Sequence, residues 1–368
     1  MSTDRDEFLK LLQRAIQKDA SDIHLKTGSP PYYRIDGYVT PQEHPPLREE
    51  DIETFVKILL NDEQLKFFLK RGEIDLAFTE KGVGRFRVNV FRQRGLISLV
   101  MRRIKSKMLT MEQLHLPHAM ERLADLKRGL VLITGTTGSG KSTTLASLID
   151  LINEKHKCHI VTIEDPIEFI HADKKAVVNQ REVTIDTQDF STALRAVMRQ
   201  DPDVILIGEM RDVETFQAAL GAAETGHLVL STLHTTNVML TIDRIIDLFP
   251  SNQHSQVRSQ LAQNLQAIMC MRLVPRADGS GRVPAVELLF ATPTARMVIR
   301  DNRIAQLPTV IQQGREDGAQ SFNDSLHSLV KARLVTVEQA MLVSENPEEL
   351  NMLLQGIRLS SQKGGILK

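Results

Sequence analysis

The sequence predicts an α/β protein in which a parallel α/β core follows a smaller α+β domain and precedes a run of helices. Three observations predict this. Short apolar runs at Leu130–Ile133, Ile160–Ile163, Val204–Ile207 and Leu228–Leu230 alternate with helical segments, the pattern of a parallel sheet. Before them, residues 74–104 alternate in polarity, with Gly82, Gly84 and Gly95 at the turns. After about residue 292 only helical periodicity remains, over 292–300, 303–313, 322–332, 336–344 and 347–357.

Taken in order, Phe8, Leu11, Leu12, Ala15 and Ile16 recur at helical spacing, so residues 5–18 are expected to form an amphipathic helix. Short strands are expected around Ile23–Leu25 and Tyr32–Ile35, separated by Pro30-Pro31. Asp36-Gly37 predicts a hairpin turn, and a helix is expected over Ile52–Leu60. The expected domains are 1–104 (α+β), a linker with a docking helix at 105–120, the core at 121–290, and a helical region at 291–368. The closing "SSQKGGILK" is expected to fray.

Composition narrows the class. At 368 residues the chain has room for about two domains with cores. Lys+Arg and Asp+Glu are both 46, and this balance argues against broad nucleic-acid binding. No apolar run approaches the ~20 residues of a membrane span. The charged start "MSTDRDEFLK" lacks a signal-peptide core, so a cytoplasmic protein is expected. Cys158 and Cys270 are far apart and read as reduced core residues, with no zinc site expected.

The sharpest chemical signal is "GTTGSGKS", Gly135 to Ser142, which follows one apolar run and opens a helical segment. Its glycines, Gly135, Gly138 and Gly140, let backbone N–H groups close around phosphate oxygens, with Thr136, Thr137 and Ser139 completing the loop. Lys141 is placed for the β/γ-phosphates, Ser142 for Mg²⁺, and Thr143 for the α-phosphate. Glu164 and Asp165 end the second apolar run, and Glu209 follows the third. Ligands of α/β sheets lie beyond the carboxyl ends of the strands, so these acids are expected to converge on the phosphate edge. His227 and His234 flank the fourth run and are candidates for sensing the γ-phosphate.

Four stretches in order carry a family resemblance: "GTTGSGKS", "VTIEDPIEF", "DPDVILIGEMRD" and "ETGHLVLSTLHTT". Together they resemble the Walker A, aspartate box, Walker B and histidine box of the secretion ATPase superfamily, specifically the PilT/PilU retraction ATPases of type IV pili. "ASDIHLKTGSPPYYRIDG", "RFRVNVF" and "VVNQREV" are also similar, so the resemblance runs nearly end to end. It implies a PAS-like N-terminal domain, a RecA-like P-loop core, a helical C-terminal region and a homohexameric ring. It further implies ATP hydrolysis with Mg²⁺, driving pilus disassembly at the cytoplasmic face of the inner membrane through a platform membrane protein. A paralogous pilus ATPase is a possible further partner under this resemblance.

Matched to the family's motifs, Lys141 and Ser142 serve phosphate and Mg²⁺. Glu209 is the Walker B glutamate, reaching the metal directly or through water, and Glu164 is the aspartate-box glutamate. His234 is the histidine-box residue. Arg87 and Arg102, with Arg85 in reserve, correspond to arginines that reach across a subunit boundary to the phosphoryl group. An assembly or type II export ATPase would typically add an N-terminal domain and a four-cysteine zinc module, so retraction is the expectation. Residues 294–306, "TARMVIRDNRIAQ", keep Ala295-Arg296 and Ile299-Arg300 of a retraction signature and otherwise depart from it.

Overall fold

In the computed structural model, which describes residues 2–35, 37–104 and 108–357, the chain divides into two units. The first is Met1–Lys107 with Glu168–Ile170. It contains α1 (Ser2–Gln17), β1 (Asp22–Lys26), β2 (Tyr32–Ile35), β3 (Tyr38–Pro41), α2 (Glu49–Leu59), α3 (Asp62–Arg71), β4 (Glu73–Glu80), β5 (Gly84–Gln93) and β6 (Leu96–Ile104). The strand order is β3-β2-β1-β6-β5-β4. Every neighbouring pair is antiparallel.

Period-two patterning explains this sheet. Along β5, Phe86, Val88 and Val90 are fully buried while Arg85, Arg87 and Asn89 take the alternate positions. The buried side chains share one core with Phe8 and Leu12 of α1 and with Ile52 and Phe55 of α2. Phe8 and Phe55 stack with ring centroids 4.8 Å apart. Each such side chain contributes roughly 1.5–3 kcal/mol by leaving water. Helix α3 was not expected, because only Phe68 of its apolar residues is fully buried and no stripe is visible. Its ends define it instead. Asn61 and Gln64 form a reciprocal capping box, and Gly72 closes the helix in the left-handed conformation at φ 83°. The expected turn at Asp36 and the closing tail lie outside the described residues.

The second unit is Met108–Ile167 with His171–Lys368. Its strands are β7 (Gly129–Thr134), β8 (His159–Glu164), β9 (Val177–Glu182), β10 (Val204–Ile207), β11 (Leu228–Leu233), β12 (Leu265–Pro275) and β13 (Arg282–Phe290). Its helices are α4 (Lys141–Lys155), α5 (Phe190–Val197), α6 (Val213–Glu224), α7 (Val238–Asp247), α8 (His254–Asn264), α9 (Pro293–Arg300), α10 (Leu307–Gln313), α11 (Phe322–Lys331), α12 (Val337–Val343) and α13 (Pro347–Leu354). The sheet order is β13-β12-β7-β11-β10-β8-β9. All neighbours are parallel except β12 and β13.

Both faces of this sheet are covered, which is why its central strands read as unbroken apolar runs. Leu130, Leu132, Ile205, Ile207 and Val229 point into one core, with α5, α6 and the C-terminal helices. Val131, Ile133, Val204, Leu206 and Leu230 point into the other, with α4. The helices after residue 292 therefore share a core with the sheet: Ile299, Leu326 and Leu350 lie in the same cluster as Leu130. Of the stretch expected as a linker with a docking helix, residues 108–120 belong to the second unit. Met111, Leu116 and Met120 are buried in the α4-side core, and His118–Asp125 is a 3-10 helix.

Candidate functional site

Beyond the C-terminal end of β7 the chain turns sharply and enters α4 at Lys141. The turn is possible because Gly135 adopts φ 150°. A Cβ there would collide with Ser139 Oγ and with the Met271 carbonyl of β12. The phosphate loop is thus backed by the neighbouring strand, a support that the motif alone does not reveal. Thr134 Oγ1 donates to Cys270 Sγ at 3.0 Å on the same seam. Lys141 is nearly buried, and its ammonium donates to the carbonyls of Gly135 at 2.8 Å and Thr136 at 3.1 Å. Thr136, Thr137 and Gly138 are exposed, Ser142 and Thr143 half-buried.

The donor set fits a nucleotide phosphate. Ser139 Oγ is buried without a hydrogen-bond partner, in a loop where the missing Cβ of Gly135 leaves room for close approach. The first N–H groups of α4 point out of the helix end, where an anion is favoured. The hydroxyl of Ser142 and the carboxylate of Glu209 are oxygen donors of the kind Mg²⁺ takes.

Three further strand ends lie along the same edge. The sheet order β7-β11-β10-β8 is in register, with Thr134 opposite Leu233, Ile207 opposite Ser231, and Ile207 opposite Ile163. The phosphate loop, His234, Glu209 and Glu164 therefore leave adjacent strands in turn, over roughly 15 Å at about 4.8 Å per strand. Gly208 is the small residue this crowding requires. A Cβ there would stand 3.3 Å from the Ile163 carbonyl oxygen and 3.4 Å from Glu164 Cα. A side chain at that position would press on the β8 backbone, whereas Glu209 one residue later carries the acid.

The Glu209 carboxylate is held from two sides. Arg211 Nη2 lies 2.7 Å from Oε2, and His234 Nε2 lies 3.3 Å from Oε1. Burial works to raise its pKa, but the Arg211 hydrogen bond and the His234 and Arg211 charges outweigh it. The carboxyl sits below the ordinary glutamate range. Arg211 also feels the charge of Asp165, the exposed residue after Glu164. The β10 end is braced from β11, where Thr232 Oγ1 donates to the Gly208 carbonyl at 2.6 Å and Ser231 Oγ to the Ile207 carbonyl at 2.8 Å. Arg211 and Thr232 carried no assignment from sequence. Arg211 lay inside the quoted Walker B stretch, and its spacing of two from Glu209 was the available signal.

His227 is corrected by the structure. Its carbonyl accepts from Gly129 N–H at the start of β7, so it stands at the edge opposite the phosphate loop. Its Nδ1 is 2.9 Å from the Ala222 carbonyl at the end of α6, a role in closing that helix.

Arg87 and Arg102 belong to the first unit and face each other directly across β5 and β6. The same row continues through Asp22 of β1 to Arg34 of β2. Asp22 holds Arg102 Nε at 2.8 Å and Arg34 Nε at 3.4 Å, while Arg87 Nε reaches only to 4.0 Å from Asp75. Three guanidinium groups thus share a row with one buried carboxylate, an arrangement suited to receiving an anion.

A covered parallel sheet with its phosphate loop and its acids on one edge defines a P-loop nucleotide hydrolase. The chain belongs to the Type II/IV secretion system protein family, whose model matches residues 6–362, and it is an ATPase of that family. It is 46% identical over 342 residues to the type IV pilus retraction ATPase PilT of Pseudomonas aeruginosa, covering 93% of this chain and 99% of that one. It is 41% identical to the type IV pilus ATPase PilU of the same organism, covering 95% of this chain and 91% of that one. Among solved structures, the pilus retraction motor PilT with bound ADP superposes with a TM-score of 0.87 at 46% identity, covering 93% of this chain and 98% of that one. The Legionella pneumophila ATPase DotB gives a TM-score of 0.74 at 27% identity, covering 90% and 93%.

Proposed function

We propose that this chain is the motor subunit that hydrolyses ATP to retract a type IV pilus. The observation that carries the reading is the shared edge of phosphate loop, His234, Glu209 and Glu164, in a chain 46% identical to a retraction ATPase over 93% of its length. The N–H groups from Gly135 to Thr143 receive the phosphates, and Lys141 turns from the Gly135 and Thr136 carbonyls to the β/γ oxygens. Ser142, with Glu209 directly or through water, is the pair that would hold Mg²⁺. The ion, when bound, neutralises charge on the phosphoryl oxygens.

Glu209 aligns the attacking water. Its lowered pKa makes it a weak base while Arg211 is paired with it, so in this state it orients water more readily than it takes a proton. Glu164 assists from the next strand, and His234 connects the Glu209 carboxylate to the end of β11. Arg87 and Arg102, delivered by a neighbouring subunit in a homohexameric ring, stabilise the charge that develops on the transferred group. The first unit is the PAS-like domain of this reading, and the second holds the RecA-like core and the C-terminal helices.

No helix among the described residues is long and apolar enough to cross a membrane. That accords with a ring working at the cytoplasmic face of the inner membrane through a platform protein, alongside a paralogous ATPase. A second reading is an accessory, PilU-like subunit using the same site, since the chain is also 41% identical to PilU. Deletion in the host tests both: excess pili without twitching establish the main motor, and near-normal twitching the accessory role. Loss of pili overturns retraction in favour of assembly.

A further inference from the structure

We propose that Gln180, on the edge strand β9, is the residue that positions Glu164. In the β8–β9 register Thr162 stands opposite Gln180. Glu164 follows Thr162 by two residues, so the three side chains share one face of the sheet. Thr162 is the polar residue in an otherwise apolar, fully buried stretch, and its hydroxyl donates to Glu164 Oε1 at 2.7 Å. Gln180 Nε2 donates to the same oxygen at 3.0 Å. The other end of that amide, Oε1, accepts from the His171 backbone N–H at 2.8 Å.

An amide has one donating and one accepting end. Here the partners are a carboxylate and an N–H group, so only one orientation satisfies both. Gln180 thereby fixes the rotamer of Glu164 and the end of the loop that leaves it with a single side chain. A carboxylate held by two donors loses the freedom to swing out of line with the attacking water, which is what a positioning residue supplies.

This inference rests on the assignment of Glu164 to the hydrolytic site. The test compares phosphate release and fluorescent-nucleotide binding by the full chain for wild type, Gln180→Leu, Gln180→Glu and Glu164→Gln. Gln180→Leu is expected to lower kcat about tenfold while KM and nucleotide affinity change less than about twofold. Gln180→Glu keeps an acceptor for the His171 N–H but sets a second carboxylate against Glu164, so its kcat is expected to fall further. In a Glu164→Gln background, Gln180→Leu should cost nothing more.

Wild-type turnover by Gln180→Glu would mean that Gln180 only holds the loop, and overturns the proposal. An undiminished loss from Gln180→Leu in the Glu164→Gln background does the same. If Gln180→Leu does not fold, Gln180→Glu alone decides. Full turnover by Glu164→Gln is a separate result, which removes the assignment of Glu164 itself.

Discussion

In the N-terminal sheet, charge is spread along the strands; in the central strands of the larger sheet, β7, β8, β10 and β11, it is confined to their ends. The first sheet buries one face, so every second residue of β5 is free to be Arg85, Arg87 or Asn89. The larger sheet is covered on both faces, and β7 and β10 are apolar from end to end apart from Gly129 and Thr134 of β7. On those central strands the charged chemistry begins where a strand stops. The difference teaches where to look: a row of side chains across the first sheet, a row of strand ends across the second. In the proposed motor the two rows complete one site in neighbouring subunits.

The largest effect should come from the strand-end row. Glu209→Gln is expected to lower kcat about a thousandfold while nucleotide affinity stays near wild type. Phosphate release and fluorescent-nucleotide titration read the two separately, and wild-type turnover would take the chemistry away from the end of β10. Arg87→Ala comes next. It should lower kcat about a hundredfold or more in the assembled ring and spare nucleotide binding by single subunits. Unchanged hydrolysis would leave the arginine row of the first sheet as a solvated face, and the comparison would lose its functional half.

Much of this was legible in the chain because of the same contrast. Period-two alternation marked β5, and unbroken apolar runs marked β7, β8, β10 and β11. β9 escaped because "VVNQRE" is a largely polar edge strand. β12 and β13 escaped because an antiparallel hairpin interrupts the alternation of strand and helix. At the site, residue types and order placed Lys141, Glu164, Glu209 and His234. His227 precedes β11 and His234 follows it, so chain order in a parallel sheet already sets them at opposite edges; pairing the two as flanks of one run overlooked that order. Partners made only in three dimensions, such as Arg211 on Glu209 or Met271 behind Gly135, leave no periodic trace.

A smaller effect probes the covered face of the larger sheet. Glu287 of β13 accepts from Val238 N–H at 2.7 Å, and burial pushes its carboxyl up to about 7, with Glu345 adding to the rise and Arg272 opposing it. Because the folded pKa lies above the unfolded one, this group favours folding below about pH 4.5. That contribution is lost as the pH rises towards 7. Between these limits the stability of wild type should fall by about 2–3 kcal/mol relative to Glu287→Gln. Urea midpoints at pH 5 and pH 7.5 measure this, and parallel pH dependences in the two proteins would remove the buried acid from the account.

The smallest effect sharpens the first sheet. Its one buried face must dock α1 without stranding a polar group. Tyr33, only 1% exposed, does this by donating its hydroxyl to the Leu11 carbonyl at 2.7 Å. Tyr33→Phe keeps the ring and removes that bond. The Leu11 carbonyl retains its place in α1, so the loss should be about 1 kcal/mol, the net worth of one neutral hydrogen bond. The change falls in the core of the first unit and the phosphate loop belongs to the second, so nucleotide affinity should not move. Urea unfolding gives the first quantity and nucleotide titration the second. A loss well above about 3 kcal/mol would mean that the hydroxyl organises the packing of α1 on the sheet, and that this core depends on a polar anchor as the strand-end row depends on its braces.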